Sequence, residues 1–178
     1  MAGESSIENF KNTFLKKGIA RPTRYRVELT TSAGVELNFQ PETVTLPSRS
    51  FVQIDDDLYG PVRKVPVARQ YTDTVVLSFP VSDDQTERTF FEAWMDEIVF
   101  EDNNFSRYSN GDKEVYGTMT IETLSMSDKS SSKYVFEEVY PSSIFPVNLG
   151  QNITNDYMRL QVAMEYRRYR YEADGKSN

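Results

Sequence analysis

Apolar residues recur along this chain at two periods, and most of them recur at the shorter one. Tyr25, Val27 and Leu29 alternate with Arg24, Arg26 and Glu28. A period of two puts the apolar set on one face of a strand and the charges on the other. Ser32-Ala33-Gly34 supplies a turn, and Val35, Leu37 and Phe39 resume the alternation, which predicts a hairpin. Thr74 to Val81 reads as a strand with Val75, Leu77 and Phe79 on one face. Val115, Met119 and Ile121 alternate with Tyr116, Thr118 and Thr120 in another. Tyr134 to Tyr140 is apolar on both sides apart from its glutamates, the pattern of a strand covered on two faces. Pro141 and Pro146 then break the chain. The longest expected strand comes last, with Met158, Leu160, Val162, Met164 and Tyr166 alternating with Arg159, Gln161, Ala163 and Glu165. Its phase slips at Arg167-Arg168, as at a β-bulge, and Ala173 to Asn178 read as a frayed end.

The longer period marks two helices. Phe90, Phe91, Trp94, Met95 and Ile98 fall on one helical face between about Asp84 and Val99, after a capping box of Ser82 and Gln85. An aromatic stripe of this kind belongs to a core rather than to a ligand site. A short N-terminal helix is expected from Ser5 and Glu8 at capping-box spacing, an Ile7, Phe10, Phe14 face, and a Lys16-Lys17-Gly18 end.

Between Thr45 and Arg69 the pattern degrades. Prolines at 47, 61 and 66, the Asp55-Asp56-Asp57 triplet and Gly60 interrupt any sheet interior, yet Phe51, Val52, Ile54, Leu58 and Tyr59 are scattered through it. Such a segment is long for a plain connection and too apolar for a linker. It is either a loop folded onto its own domain or an arm that packs on another subunit, through Phe51, Ile54, Leu58 and Tyr59. Asp102 to Asp112 is polar with Asn-rich turn signals, and Ser125 to Ser132 is a serine-rich connector. The elements together predict a mainly β (α+β) fold: an antiparallel sandwich or partial barrel, one packed helix, and one domain over 1–178.

The chain of 178 residues is long enough to bury roughly 70% of its unfolded surface without staples. It contains no cysteine and no histidine. That removes disulfides, thiolate metal sites, the commonest general base and the usual partner of a serine nucleophile. A net charge of −7 and a pI near 4.8 argue against adhesion to nucleic acid. The N-terminus lacks the basic and apolar regions of a signal peptide, and no apolar run approaches the ~20 residues that span a bilayer. A soluble, intracellular, non-enzymatic protein is expected, with no cofactor and no metal.

Candidate chemistry does not change that expectation. There is no phosphate loop, HExxH, GxSxG or EF-hand spacing. The Asp55-Asp56-Asp57 run lacks the alternating ligands of a calcium loop and reads as a solvated acidic tip. Glu137 and Glu138 are adjacent on a strand, so they face opposite sides and cannot flank one glycosidic bond. Arg167, Arg168 and Arg170, interleaved with Tyr166, Tyr169 and Tyr171, read as an arginine ladder paired with acidic neighbours.

The order of elements resembles the tail tube proteins of contractile-tailed bacteriophages. The carriers are the N-terminal helix running into Gly18-Ile19-Ala20-Arg21-Pro22, Thr45-Leu46-Pro47 opening a long loop, and the Tyr71 to Val81 strand before the Phe91, Trp94 helix. Val139-Tyr140-Pro141-Ser142-Ser143 and the closing Leu160 to Tyr171 strand complete the likeness. The Asp102–Asp112 and Ser125–Ser132 stretches match nothing distinctive in that family. The resemblance implies hexameric rings whose strands pair from subunit to subunit into a β-barrel, with rings stacked through the long loop. It implies a conduit for DNA and the tape-measure protein, with an acidic lumen that repels phosphates. The sheath, baseplate and tail terminator proteins are the implied partners, and the place is a virion tail assembled in the host cytoplasm. The same fold serves tube-initiating baseplate proteins and bacterial injection-system tubes. Outside that class, the residues leave open a monomeric ligand-binding β-sandwich and, more remotely, a carboxylate-based hydrolase.

Overall fold

In the computed structural model the described residues are 7, 8, 11, 20–31, 34–37, 39–58, 60–71, 74–100, 115–150 and 156–173. Of the expected N-terminal helix, Ile7, Glu8 and Lys11 are helical and the rest lies outside the described residues, as do Asp102 to Asp112 and the end beyond Ala173.

The strands are β1 (Tyr25–Thr30), β2 (Thr43–Val44), β3 (Ser50–Asp56), β4 (Arg63–Gln70) and β5 (Val75–Pro80). Helix α1 (Thr86–Ile98) follows, and then β6 (Gly117–Leu124), β7 (Ser130–Ile144), β8 (Arg159–Glu165) and β9 (Arg168–Ala173). All pairings are antiparallel. One sheet runs β1-β6-β7-β9 and the other β7-β8-β5-β2, so the 15-residue β7 belongs to both. The expected break at Pro141 does not occur. In the second sheet β7 is an edge strand, where a missing N–H costs the ladder nothing, and Pro141 pairs opposite Met164.

What lets β7 change sheets is a bulge. Pairing with β6 passes from Thr118–Glu137 to Gly117–Val139, leaving Glu138 unpaired in the left-handed region at φ 55°. The closing segment bends at the same level. The single long last strand read from the sequence is two strands, with β8 ending at Glu165 in one sheet and β9 starting at Arg168 in the other. The serine-rich connector is likewise shorter than expected. Ser125 N–H donates to Lys129 O (2.8 Å) across a turn with Asp128 at φ 58°, and β7 already begins at Ser130. The hairpin expected over 35–39 shrinks to one bridge, Thr30 to Glu36.

The inner faces of the two sheets make the core. Val27, Leu29, Met119, Ile121 and Phe136 meet Val75, Leu77, Phe79, Leu160, Val162 and Met164, all essentially inaccessible to solvent. Helix α1 adds Phe91 and Trp94, which are buried, while Phe90 and Ile98 are half-buried against the core and Met95 is half-buried. Phe91 stands 5.5 Å from Phe79, and Phe39 meets Phe79 edge-on at 5.2 Å. The Trp94 indole N–H donates to Val115 O at 3.2 Å, which satisfies its one polar atom inside the core.

The helix N-terminus departs from the expected capping box. Gln85 takes a left-handed conformation (φ 51°) and makes no side-chain cap, so the helix starts at Thr86 and ends at Ile98. Glu87 reaches back instead, accepting from Ser82 N–H (3.0 Å) and the Ser82 hydroxyl (2.7 Å). Burial works against the Glu87 carboxylate, but the Ser82 bonds outweigh it and hold its pKa below the ordinary range.

Two stability predictions follow from this packing. A Cβ added at Gly117 would sit 2.3 Å from Thr30 O and 3.0 Å from the Trp94 ring, so Gly117→Ala should cost at least about 1–3 kcal/mol. Trp94→Ala, which opens a cavity, should cost about 3–5 kcal/mol. Urea unfolding reads both, and a fully stable Trp94→Ala subunit would move α1 from core to interface. For Glu87 the folded pKa is depressed, so its contribution is present above the normal carboxylate range and lost as pH falls through the lowered value. Glu87→Gln should destabilise the protein by about 1–2 kcal/mol at neutral pH, and the gap should close in acid.

Candidate inter-subunit surfaces

The segment whose pattern degrades is neither a plain loop nor part of the core: β3 and β4 form a separate two-stranded hairpin. Its prolines are tolerated for local reasons. Both strands are edges, and Pro66 sits beside the register shift at Val52/Gln53, where the ladder is already interrupted. The apolar residues that puzzle a reader of the sequence lie on its surface. Phe51 and Ile54 are about half exposed at 51% and 54%, Leu58 is 81% exposed, and Val62 and Val67 join them. Tyr59 lies outside the described residues. Of the acidic tip, Asp56 pairs with Arg63 at 2.7 Å, and no cluster suited to a metal ion occurs among the described residues.

The hairpin is anchored at its base. The Arg49 guanidinium lies 5.3 Å over the Tyr169 ring, Tyr71 meets the same ring edge-on at 5.6 Å, and Thr74 donates to Glu165 at 2.7 Å. A two-stranded ribbon of this kind gains little stability by itself. Its exposed apolar side chains make it a candidate interaction surface.

The second surface is the outer face of the β1-β6-β7-β9 sheet. Register aligns it in rows: Arg26, Glu122, Lys133 and Glu172 in one; Glu28, Thr120, Val135 and Arg170 in the next; then Thr30, Thr118, Glu137 and Arg168. Within the sheet some of these charges pair. Lys133 meets Glu122 at 3.4 Å, and Glu137 accepts from both Arg168 and Arg170. The bonds from Arg168, and then Arg170, hold the Glu137 carboxyl below its usual pKa. Glu138, on the bulge, takes Arg167 at 2.6 Å. The two adjacent glutamates are therefore both engaged by arginine, three guanidiniums around two carboxylates.

A third feature is an open cleft of about 380 Å³ near the start of β8, lined by Phe145, Val147, Leu149 and Tyr157 among others. Its titratable side chains are tied to one another: Tyr157 and Arg159 hold Glu42 ionised, and Arg159 also pairs with Asp156 at 3.0 Å. The arginine ladder pairs with acidic neighbours as its sequence implies, whereas the rows across the other strands and this cleft depend on strand register and are not legible in the sequence.

Comparison with known proteins places this geometry. No curated protein matches the chain by sequence. Among solved structures, one chain of the anti-feeding prophage baseplate, six-fold symmetrised, superposes with a TM-score of 0.66 at 11% identity, covering 89% of this chain and 98% of that one. A chain of the sheath/tube terminator of the extracellular contractile injection system PVC gives 0.66 at 16% identity, covering 87% and 97%. A chain of the PVC sheath-tube complex gives 0.61 at 14%, covering 91% and 97%. At these identities the likeness establishes the fold. The family model for phage tail tube proteins matches residues 9–172, nearly the whole length, and the chain belongs to the phage tail tube protein family.

Proposed function

We propose that copies of this chain close into hexameric rings by continuing one sheet into the next, and that the rings stack into a hollow tube. The tube conducts DNA and the tape-measure protein, lies within a contractile sheath, ends on baseplate and terminator proteins, and assembles in the host cytoplasm. The observation that carries this reading is the β3–β4 hairpin, an arm with apolar side chains exposed along it and no part in its own core. Phe51, Ile54 and Leu58, with Tyr59 beside them in sequence, would gain their burial on neighbouring copies, each side chain contributing about 1.5–3 kcal/mol if fully covered. Six-fold symmetry in the anti-feeding prophage baseplate structure supports the ring size.

The rows modify the acidic lumen implied by the family resemblance. On the outer face of the first sheet, Arg26, Lys133, Arg168 and Arg170 balance Glu28, Glu122, Glu137 and Glu172. A lumen walled by that face is polar and locally neutral. Such a wall offers passing DNA no unpaired basic patch, and the excess acidic charge of the chain lies elsewhere.

A tube-initiating or injection-system role is the second reading, since the fold is shared with a baseplate chain. Length separates them: an initiator stops at single rings, and a tube subunit polymerises.

Electron microscopy of the concentrated protein should show rings and tubes. Replacing 51–69 by a short Gly-Ser turn should leave the subunit's thermal transition nearly unchanged and abolish the tubes. Normal tubes from the shortened chain would reduce the hairpin to decoration, and an unfolded subunit would return it to the core. In a filter-binding assay the assembled protein should not retain duplex DNA at moderate salt. Micromolar retention that weakens with added salt would contradict the conduit.

A further inference from the structure

The two outer strands of the charged sheet differ in how their edges are finished. On β1, the groups that point away from β6 are already occupied. Val27 N–H donates to Gln40 Oε1 (3.1 Å), Gln40 Nε2 donates to Val27 O (2.9 Å), and Leu37 N–H donates to Leu29 O (2.9 Å). A side-chain amide thus supplies the donor and the acceptor that a residue on an adjoining strand would supply. On β9 there is no such cover. Carrying the ladder's alternation across the sheet turns the main-chain groups of Tyr169 and Tyr171 outward, and no backbone hydrogen bond to them occurs among the described residues.

Strand directions alternate from β1 to β9 across four strands, so β9 of one copy and β1 of the next meet antiparallel in a continued sheet. The phases agree as well. If Tyr171 takes the place of the Gln40 amide opposite Val27, Glu172 falls opposite Arg26 and Arg170 opposite Glu28. Arg26, Glu28 and Glu172 have no ion-pair partner among the described residues. Shifting the joint two residues one way sets Arg26 against Arg170, and the other way sets Glu28 against Glu172. Like charges directly opposed across strands destabilise the pairing, so the aligned register is selected on both sides.

We infer that β9 of one copy pairs antiparallel with β1 of a second copy in the Arg26–Glu172, Glu28–Arg170 register, and that Gln40 is a placeholder it displaces. The inference rests on the ring reading and specifies its joint. In the free subunit the Gln40 amide guards β1 against indiscriminate edge pairing, a hazard that natural sheets manage in several ways. Displacement costs little hydrogen bonding, because the bonds to Gln40, and the Leu37 bond to Leu29 that Tyr169 would take over in the same register, are exchanged for main-chain bonds.

The absence of cysteine makes the joint testable by cross-linking. Directly opposed antiparallel residues lie within disulfide reach, and those displaced by two lie beyond it. On oxidation, Arg26→Cys with Glu172→Cys, and Glu28→Cys with Arg170→Cys, should give a ladder of multiples of the 20.6 kDa subunit. The offset pairs, 26 with 170 and 28 with 172, should not. Arg26→Glu should lower ring yield at least several-fold and Glu172→Arg added to it should restore the yield, with the single subunit's melting unchanged in each. Gln40→Ala should lower the concentration at which rings form. An unchanged threshold would overturn the placeholder role. If the wild type forms rings while the offset pairs cross-link, or neither does, the register is wrong and the ring reading stands. If the wild type forms no ring at any concentration, both fall together.

Discussion

The bulge at Glu138 is the constraint on which the rest of the molecule depends. A strand of 15 residues cannot serve two sheets while staying straight, and the left-handed Glu138 is where β7 turns from one to the other. The chain meets the same corner again at Tyr166-Arg167, between β8 and β9, and Arg167 N–H donates to Glu137 O across it. Three arginines, 167, 168 and 170, then close on Glu137 and Glu138. Each pair is partly exposed and modest alone, but the group ties both bends at one level. Without that alignment Phe136 and Tyr166 would not face each other at 5.0 Å, and the two inner faces would not share a core.

Much of this architecture was legible in the sequence, because period-two alternation reports which side of a strand is buried. Val27 and Leu29, Val75 to Phe79, and Leu160 to Met164 lie where their alternation places them. What failed was punctuation. Pro141 and Pro66 read as breaks, yet a proline on an edge or at a bulge removes a hydrogen bond that no partner needs. Gln85 read as a cap by spacing alone, whereas the cap geometry is made by Glu87. The bend of the last strand was visible as a slip of phase at Arg167-Arg168. Its consequence, a change of sheet, was not, since that depends on what β7 does more than twenty residues earlier. The hairpin arm was visible as an anomaly of composition. Its β structure was hidden because both of its faces are exposed, which erases the alternation by which strands are recognised.

Exposure on both faces of the hairpin also separates the proposed contact surface from the core. The core is closed by side chains of the two sheets and α1, and the arm meets it at the base, through Arg49, Tyr71 and Thr74. In the proposed assembly, folding and association therefore draw on separate residues. A subunit whose interface apolar residues also filled its core would have to unfold partly to associate, and association would be slow and prone to error. In the proposed ring, a net charge of −7 would oppose casual association between free subunits, while the arm's apolar contacts and the opposed charges along the sheet edges would act only in one geometry. Contacts that are individually weak become decisive when a ring lets several engage at once. Selectivity in the proposed tube would then come from the geometry of repetition: a stray collision satisfies one edge or one arm, and only the closed, stacked arrangement satisfies all of them.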